Sequence, residues 1–139
     1  MYRLKAIIFS MISLMGLSSM GQTHSLDVQM NGFSEDGKAY IILFKEGAKF
    51  NAKCEDCIKR EIQIEELKAS TTFRGLKKGS YAILVYHDQN GNKELDTNFI
   101  GIPREGIGNS TKHMGIPSFR KCAFELVGDQ DITIAMVYL

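Results

Sequence analysis

The stretch STTFRGLKKGSYAILVYH, residues 70–87, decides the fold class. Thr71, Phe73 and Leu76 lead into Lys77-Lys78-Gly79, a turn signal. Tyr81 to His87 then form a run dense in aromatic and β-branched residues, the composition of a strand. In that run Tyr81, Ile83 and Val85 share one parity, which His87 continues, and Ala82, Leu84 and Tyr86 share the other.

Outward from this pair the same alternation repeats. SLDVQMNGF (25–33) sets Leu26, Val28 and Met30 against Asp27, Gln29 and Asn31, the pattern of a half-buried strand. SEDGK (34–38) is a turn in which Asp36-Gly37 is a hairpin signal. AYIILFK (39–45) is nearly all apolar and reads as a strand buried on both faces, whereas EGAKFNAKCEDC (46–57) has no period and reads as an excursion. REIQIEELK (60–68) favours a strand through Ile62, Ile64 and then Leu67, with a short helix as the alternative. Residues 88–120 form a long, polar, Gly-rich connection holding both prolines, Pro103 and Pro117. CAFELVG (122–128) and DITIAMVYL (131–139) read as a closing hairpin, with Cys122, Phe124, Leu126, Ile132, Ile134, Met136 and Tyr138 facing inward. About seven short strands with frequent turn signals and no convincing helix beyond residue 21 predict an all-β protein, an antiparallel β-sandwich of immunoglobulin-like or transthyretin-like type.

The N-terminus is built differently. Arg3 and Lys5 precede an uncharged apolar run, Ala6 to Leu17, and Ser18 to Gly21 supply small residues before polar Gln22. That is the layout of a secretory signal peptide over residues 1–21, with a single domain over 22–139. The run falls short of the roughly 20 apolar residues a membrane span needs. Removing it takes two basic residues and no acidic one, so the formal charge of +1 becomes −1. An exported, near-neutral domain gives no reason to expect nucleic acid as a partner and no membrane span after cleavage, and it is expected to fold alone as a monomer in the periplasm or medium.

Three cysteines remain. Cys54 and Cys57 form a CxxC whose middle residues, Glu55 and Asp56, would raise thiol pKa values, and no second pair completes a zinc site. A local disulfide or two idle thiols is the favoured reading over metal or redox chemistry.

The candidate site follows the strongest strand. In YHDQNGNKELDTN (86–98), oxygen-bearing groups recur at alternate positions: Asp88, Asn90, Asn92, Glu94 through its backbone carbonyl, and Asp96. Calcium loops supply oxygens in that rhythm, and Asn98 or Glu105 would complete the shell. Two departures stand out: Lys93 occupies the position where Gly makes the sharp turn, and Phe99 occupies the place of the bidentate Glu. The competing reading is a turn with no ion, since Asn90-Gly91 favours a two-residue hairpin and Asp and Asn cap their own backbone. His87 reads as a rim histidine bonded to a neighbouring group, and a Ser110–His113–Asp96 triad has no nucleophile-elbow sequence behind it.

Residues 79–110, GSYAILVYHDQNGNKELDTNFIGIPREGIGNS, carry a family resemblance. His87, Asp88, Asn90, Asn92, Leu95, Asp96, Thr97 and Asn98 match the stretch H-D-x-N-x-N-x-x-L-D-T-N, and Gly101, Pro103, Glu105, Gly106 and Gly108 match G-x-P-x-E-G-x-G. The chain thus resembles an uncharacterised family of secreted bacterial proteins, domain of unknown function 2141. Asn109-Ser110 stands where that pattern has Phe-Ser-Asn. The FRGLKKGSYAI approach is similar to transthyretin-like and carboxypeptidase-regulatory-like sandwiches. The resemblance implies a fold and an export route, and no activity. The expectation is therefore a non-enzymatic binding or accessory module, partnered by a protein or glycan of the cell envelope, whose polar loop 88–105 is clamped by Ca²⁺ or locked by its own hydrogen bonds. The alternatives are a small enzyme or ligand carrier using His87, Asp88, Asp96 and Glu105, and an envelope scaffold with no site.

Overall fold

A computed structural model describes residues 21–139, so the signal-peptide expectation lies, but for Gly21, outside the described residues. The elements are β1 (His24–Asn31), β2 (Gly37–Lys45), β3 (Ile58–Ile64), β4 (Lys68–Leu76), β5 (Gly79–Asp88), β6 (Ile107–Asn109), a single helical turn α1 (Phe119–Cys122), β7 (Ala123–Leu126) and β8 (Gln130–Ala135). They form a β-sandwich: a three-stranded sheet in the order β4-β1-β8 faces a five-stranded sheet in the order β3-β2-β5-β6, with β7 also on β5.

The parities read from the sequence set which side chains meet. Leu26, Val28 and Met30 of β1 and Phe73 of β4 pack against Ala39, Ile41 and Leu43 of β2 and Ile83 and Val85 of β5, and all are at most 2% exposed. The opposite parity of the larger sheet is also apolar: Tyr40, Ile42, Phe44, Ala82, Leu84 and Tyr86 form a second cluster on its outer face. Among the described residues no third sheet covers it. The excursion after β2 does, with the Phe50 ring tilted against Phe44 at 4.4 Å between ring centroids.

Three pairing expectations change. Asp36-Gly37 makes a turn, but β1 and β2 lie in different sheets, so it is a crossover rather than a hairpin. The Asp36 carboxylate instead accepts the N–H groups of Glu66 and Leu67, holding the β3–β4 turn, where both residues have positive φ. The closing hairpin is likewise absent: β7 pairs antiparallel with the start of β5, and β8 crosses to the other sheet and pairs parallel with β1, Val28 opposite Ile132. Side-chain period specifies the buried face of a strand and leaves its neighbour open. Last, the long connection is not unbroken loop. It contains β6, antiparallel to β5 with Tyr86 opposite Ile107, and α1, capped by Ser118, whose hydroxyl accepts the Lys121 N–H.

Candidate functional site

β5 ends at Asp88 and β6 begins at Ile107, so the polar loop is a wide connection between two paired strands, and Asn90-Gly91 does not make a two-residue hairpin. Its order comes from side chains capping backbone. Asn90 Oδ1 accepts the Asn92 N–H at 3.2 Å, and Asn92 Oδ1 accepts the Glu94 N–H at 2.9 Å. Asp88 Oδ2 accepts the Lys93 N–H at 2.9 Å, which closes the turn. Lys93 has φ +65°, so the left-handed reversal expected of glycine is made by lysine. Tyr86, buried on the outer face, donates its hydroxyl to the Lys93 carbonyl at 3.1 Å.

A second, smaller hairpin follows. Asn98 Oδ1 accepts the N–H groups of Ile100 and Ile102, and Thr97 bridges Pro103. Glu105 joins the two turns. It is 5% exposed, and its oxygens accept the Gln89 N–H at 3.0 Å and the Asp96 N–H at 3.2 Å. Burial pushes its carboxyl up; those two amides pull it down, and the charges of Asp96 and Asp88 push it up again. A polar recess of about 450 Å³ opens among Gln89, Asn90, Asp96 and Glu105.

The residues after the loop have tight neighbours. A Cβ on Gly106 would meet the Tyr138 ring at 2.3 Å, and one on Gly108 would meet Ile134 Cγ2 at 2.6 Å. Tyr138 is held there: its oxygen accepts the Ser34 N–H at 2.9 Å and lies 2.6 Å from His87 Nδ1. A hydroxyl oxygen has two lone pairs, so which of the two groups donates in that bond follows the tautomer of the imidazole. His87 is 1% exposed, faces the inter-sheet side, and burial lowers its pKa.

The structure thus gathers Asn90, Asn92 and Asp96: the Asn90 Nδ2 is 2.6 Å from Asp96 Oδ2, and the Asn92 Nδ2 is 2.9 and 3.0 Å from the two Asp96 oxygens. Asp88 is buried at the base of the turn, whereas Glu94 is exposed. Among the described residues no three His, Cys, Asp or Glu side chains converge as a metal-holding group, so oxygens of amides and backbone would have to complete any ligand set. His87 and the loop acids do not form a common cluster: the imidazole is bonded to Tyr138, and Glu105 to backbone N–H groups. Ser110 is not paired with His113 either. Its Oγ accepts the Ile83 N–H and donates to the Cys122 carbonyl, tying the loop end to β5 and α1. Asn109, the departure from the family pattern, accepts the His113 N–H at 2.9 Å and caps the next turn.

On the outer face of the larger sheet a groove of about 990 Å³ is floored by Leu84 and Ile107. Its walls are the excursion 49–56, the small hairpin with Leu95, Ile100 and Ile102, and the segment of Ile116 and Pro117. Cys54 and Cys57 are disulfide-bonded, so the first wall is covalently tied. Ile100 is 65% exposed, Ile116 83% and Leu139 75%, a concentration of apolar surface at one site. These segments are far apart in sequence, and their only shared signal is isolated apolar residues in polar loops. On the same outer face, Lys59 Nζ lies 5.0 Å from the Tyr40 ring centre and 5.2 Å from that of Tyr86. Tyr40 donates to Glu61 at 2.6 Å, and burial with that bond leaves its hydroxyl pushed up to about 12.

Comparison with known proteins places the chain as follows. No curated protein matches it. Among solved structures it is similar to a pilus-presented adhesin, Spy0125 (Cpa), in a cysteine-to-alanine mutant at 14% identity and TM-score 0.30, covering 84% of this chain and 27% of that one. A second crystal form of the same adhesin gives 12% identity and TM-score 0.29 over the same shares. The chain therefore spans about a quarter of that adhesin's length. The family model described as "Uncharacterized protein conserved in bacteria" (DUF2141) matches residues 28–135, from within β1 to the end of β8. The chain belongs to this DUF2141 family, and the polar loop and its glycines lie inside the matched span.

Proposed function

We propose that this is an exported, non-enzymatic binding module that holds an apolar segment of an envelope protein in the groove on its larger sheet. The groove carries the reading: Ile100, Ile102, Ile116 and Leu139 stand in water around a floor of Leu84 and Ile107. Burying them against a partner releases apolar surface worth about 25 cal/mol per Å². A lining dominated by aliphatic side chains suits an apolar peptide better than a glycan, which needs convergent polar groups. The polar loop serves as a stiff wall, since Asp88 Oδ2, Asn90 Oδ1, Asn92 Oδ1 and Glu105 Oε1 each accept an N–H of its own backbone.

Export is supported by the signal-like layout of residues 1–21 and by the Cys54–Cys57 disulfide, which persists in oxidising compartments. Among the described residues no helix is long and apolar enough to cross a membrane. The enzyme alternative lacks comparable support, because His87 is buried against Tyr138 and Glu105 is spent on two backbone amides.

The test is photo-cross-linking in intact cells. A photoreactive side chain at position 116 should capture one discrete envelope protein, and Ile100→Lys should abolish capture. The same side chain at Thr133, exposed on β8 of the other sheet, should capture none. Equal capture from both positions, or capture indifferent to Ile100→Lys, would contradict the reading.

A further inference from the structure

The polar loop contains a buried oxygen with no partner. Asp88 is 6% exposed, and its Oδ1 receives no hydrogen bond, whereas nearly all such buried atoms are satisfied. Among the described residues Asp88 has no ion pair. Lys38 stands opposite Asp88 in the β2–β5 register, but its ammonium lies 2.7 Å from Glu61. The carboxylate is turned into the loop, since its other oxygen meets the Lys93 N–H at 2.9 Å. On the same side Glu105 accepts from Gln89 and Asp96, which brings the residue after Asp88 and the Asp96 backbone onto one carboxylate. Asn90 and Asn92 lie 2.6–3.0 Å from the Asp96 oxygens.

We propose that residues 88–96 form a Ca²⁺ clip, with Asp88 Oδ1 and the Asp96 carboxylate as charged ligands and the Asn90 and Asn92 amide oxygens and the Glu94 carbonyl as neutral ones. The donors are all oxygen, mixed in type and carried on a loop, which suits calcium; magnesium demands stricter octahedral geometry and holds its own waters. Asn90 and Asn92 turn their N–H groups toward Asp96, while their oxygens, which accept the Asn92 and Glu94 N–H groups, each keep a second lone pair for a cation. Lys93 already supplies the left-handed reversal at the sixth position, so its identity does not break the pattern. Two carboxylates imply weak binding, on the order of 10⁻⁴–10⁻³ M as in extracellular modules. The clip is independent of the groove reading, although Leu95 and Thr97, which follow it, line the groove.

The test is calorimetric titration of chelator-treated protein with CaCl₂, paired with thermal melting. Wild type should bind in that range and gain roughly 5 °C in Tm at about 10 mM Ca²⁺. MgCl₂ should act at least about tenfold more weakly. Asp88→Asn keeps an oxygen for the Lys93 N–H and removes the unpaired charge. It should lose about tenfold or more in Ca²⁺ affinity, yet melt no lower than wild type without Ca²⁺. Three results would each overturn the clip: no heat and no Tm shift at about 10 mM Ca²⁺, an equal response to Mg²⁺, or an Asp88→Asn protein that binds Ca²⁺ like wild type. Lower melting of Asp88→Asn without Ca²⁺ would overturn the assignment of Oδ1, showing that the carboxylate serves the turn alone.

Discussion

The two faces of the larger sheet carry similar side chains and meet different fates. On the inner face Ile41, Leu43, Ile83 and Val85 are sealed by a second sheet, and each is at most 1% exposed. On the outer face Ile42, Phe44, Leu84 and Tyr86 are also buried, but loops do the covering. A sheet packed on a sheet closes completely, because two regular pleated surfaces interdigitate about 10 Å apart. Loops cover in patches, held by a disulfide on one side and by capped turns on the other. The difference teaches where binding resides in this fold: the inner face gives stability, and the gap between loops gives a groove.

The largest effects should come from the sealed face. Ile83→Ala should cost about 3 kcal/mol in urea unfolding, within the usual range for a fully buried aliphatic side chain. Leu84→Ala, on the groove floor one residue later, should cost roughly 1 kcal/mol less, because one side of Leu84 faces open space that water can refill. Equal costs would erase the contrast between the faces. Gly108→Ala comes next. Its Cβ would press on Ile134 and Met136, and overpacking of that kind costs about 1–3 kcal/mol.

Smaller changes sharpen the outer face. Replacing Cys54 and Cys57 together by serine should lower stability by about 2 kcal/mol, the chain-entropy value for so short a loop. It should also raise amide exchange in residues 49–56 and leave β1 and β4 unaffected. Smallest of all is Ile116→Ser. At 83% exposure it should change stability by less than about 0.5 kcal/mol while weakening the binding of an apolar dye such as bis-ANS. A loss of both together would mean that Ile116 is a packing residue.

Much of this was legible in the chain. The alternation of Tyr81, Ile83 and Val85 against Ala82, Leu84 and Tyr86 named both faces of β5, and the apolar run 39–45 is buried on both sides as expected. Partner choice was not legible. Asp36-Gly37 fixes a local turn, but whether the chain then pairs back or crosses depends on packing distant in sequence. The parallel β1–β8 pair has the same origin. Within the site, the spacing of Asp88, Asn90, Asn92 and Asp96 was visible, and so was the rival reading of a self-capped turn. Two features lay outside the spacing, because they depend on the folded loop: Lys93 adopting φ +65° and Glu105 bridging Gln89 to Asp96. The groove was invisible for a plainer reason. Phe50, Leu95, Ile100, Ile116 and Leu139 have no periodicity and no common segment, and only the tertiary fold brings them together.

The most direct test of the binding account is a methyl NMR titration with an apolar peptide or bis-ANS. Methyls of Leu84, Ile100, Ile102, Ile107 and Ile116 should shift progressively, while those of Ile41, Ile83 and Val85 stay in place. Shifts confined to the three-stranded sheet, or spread equally over both faces, would contradict it.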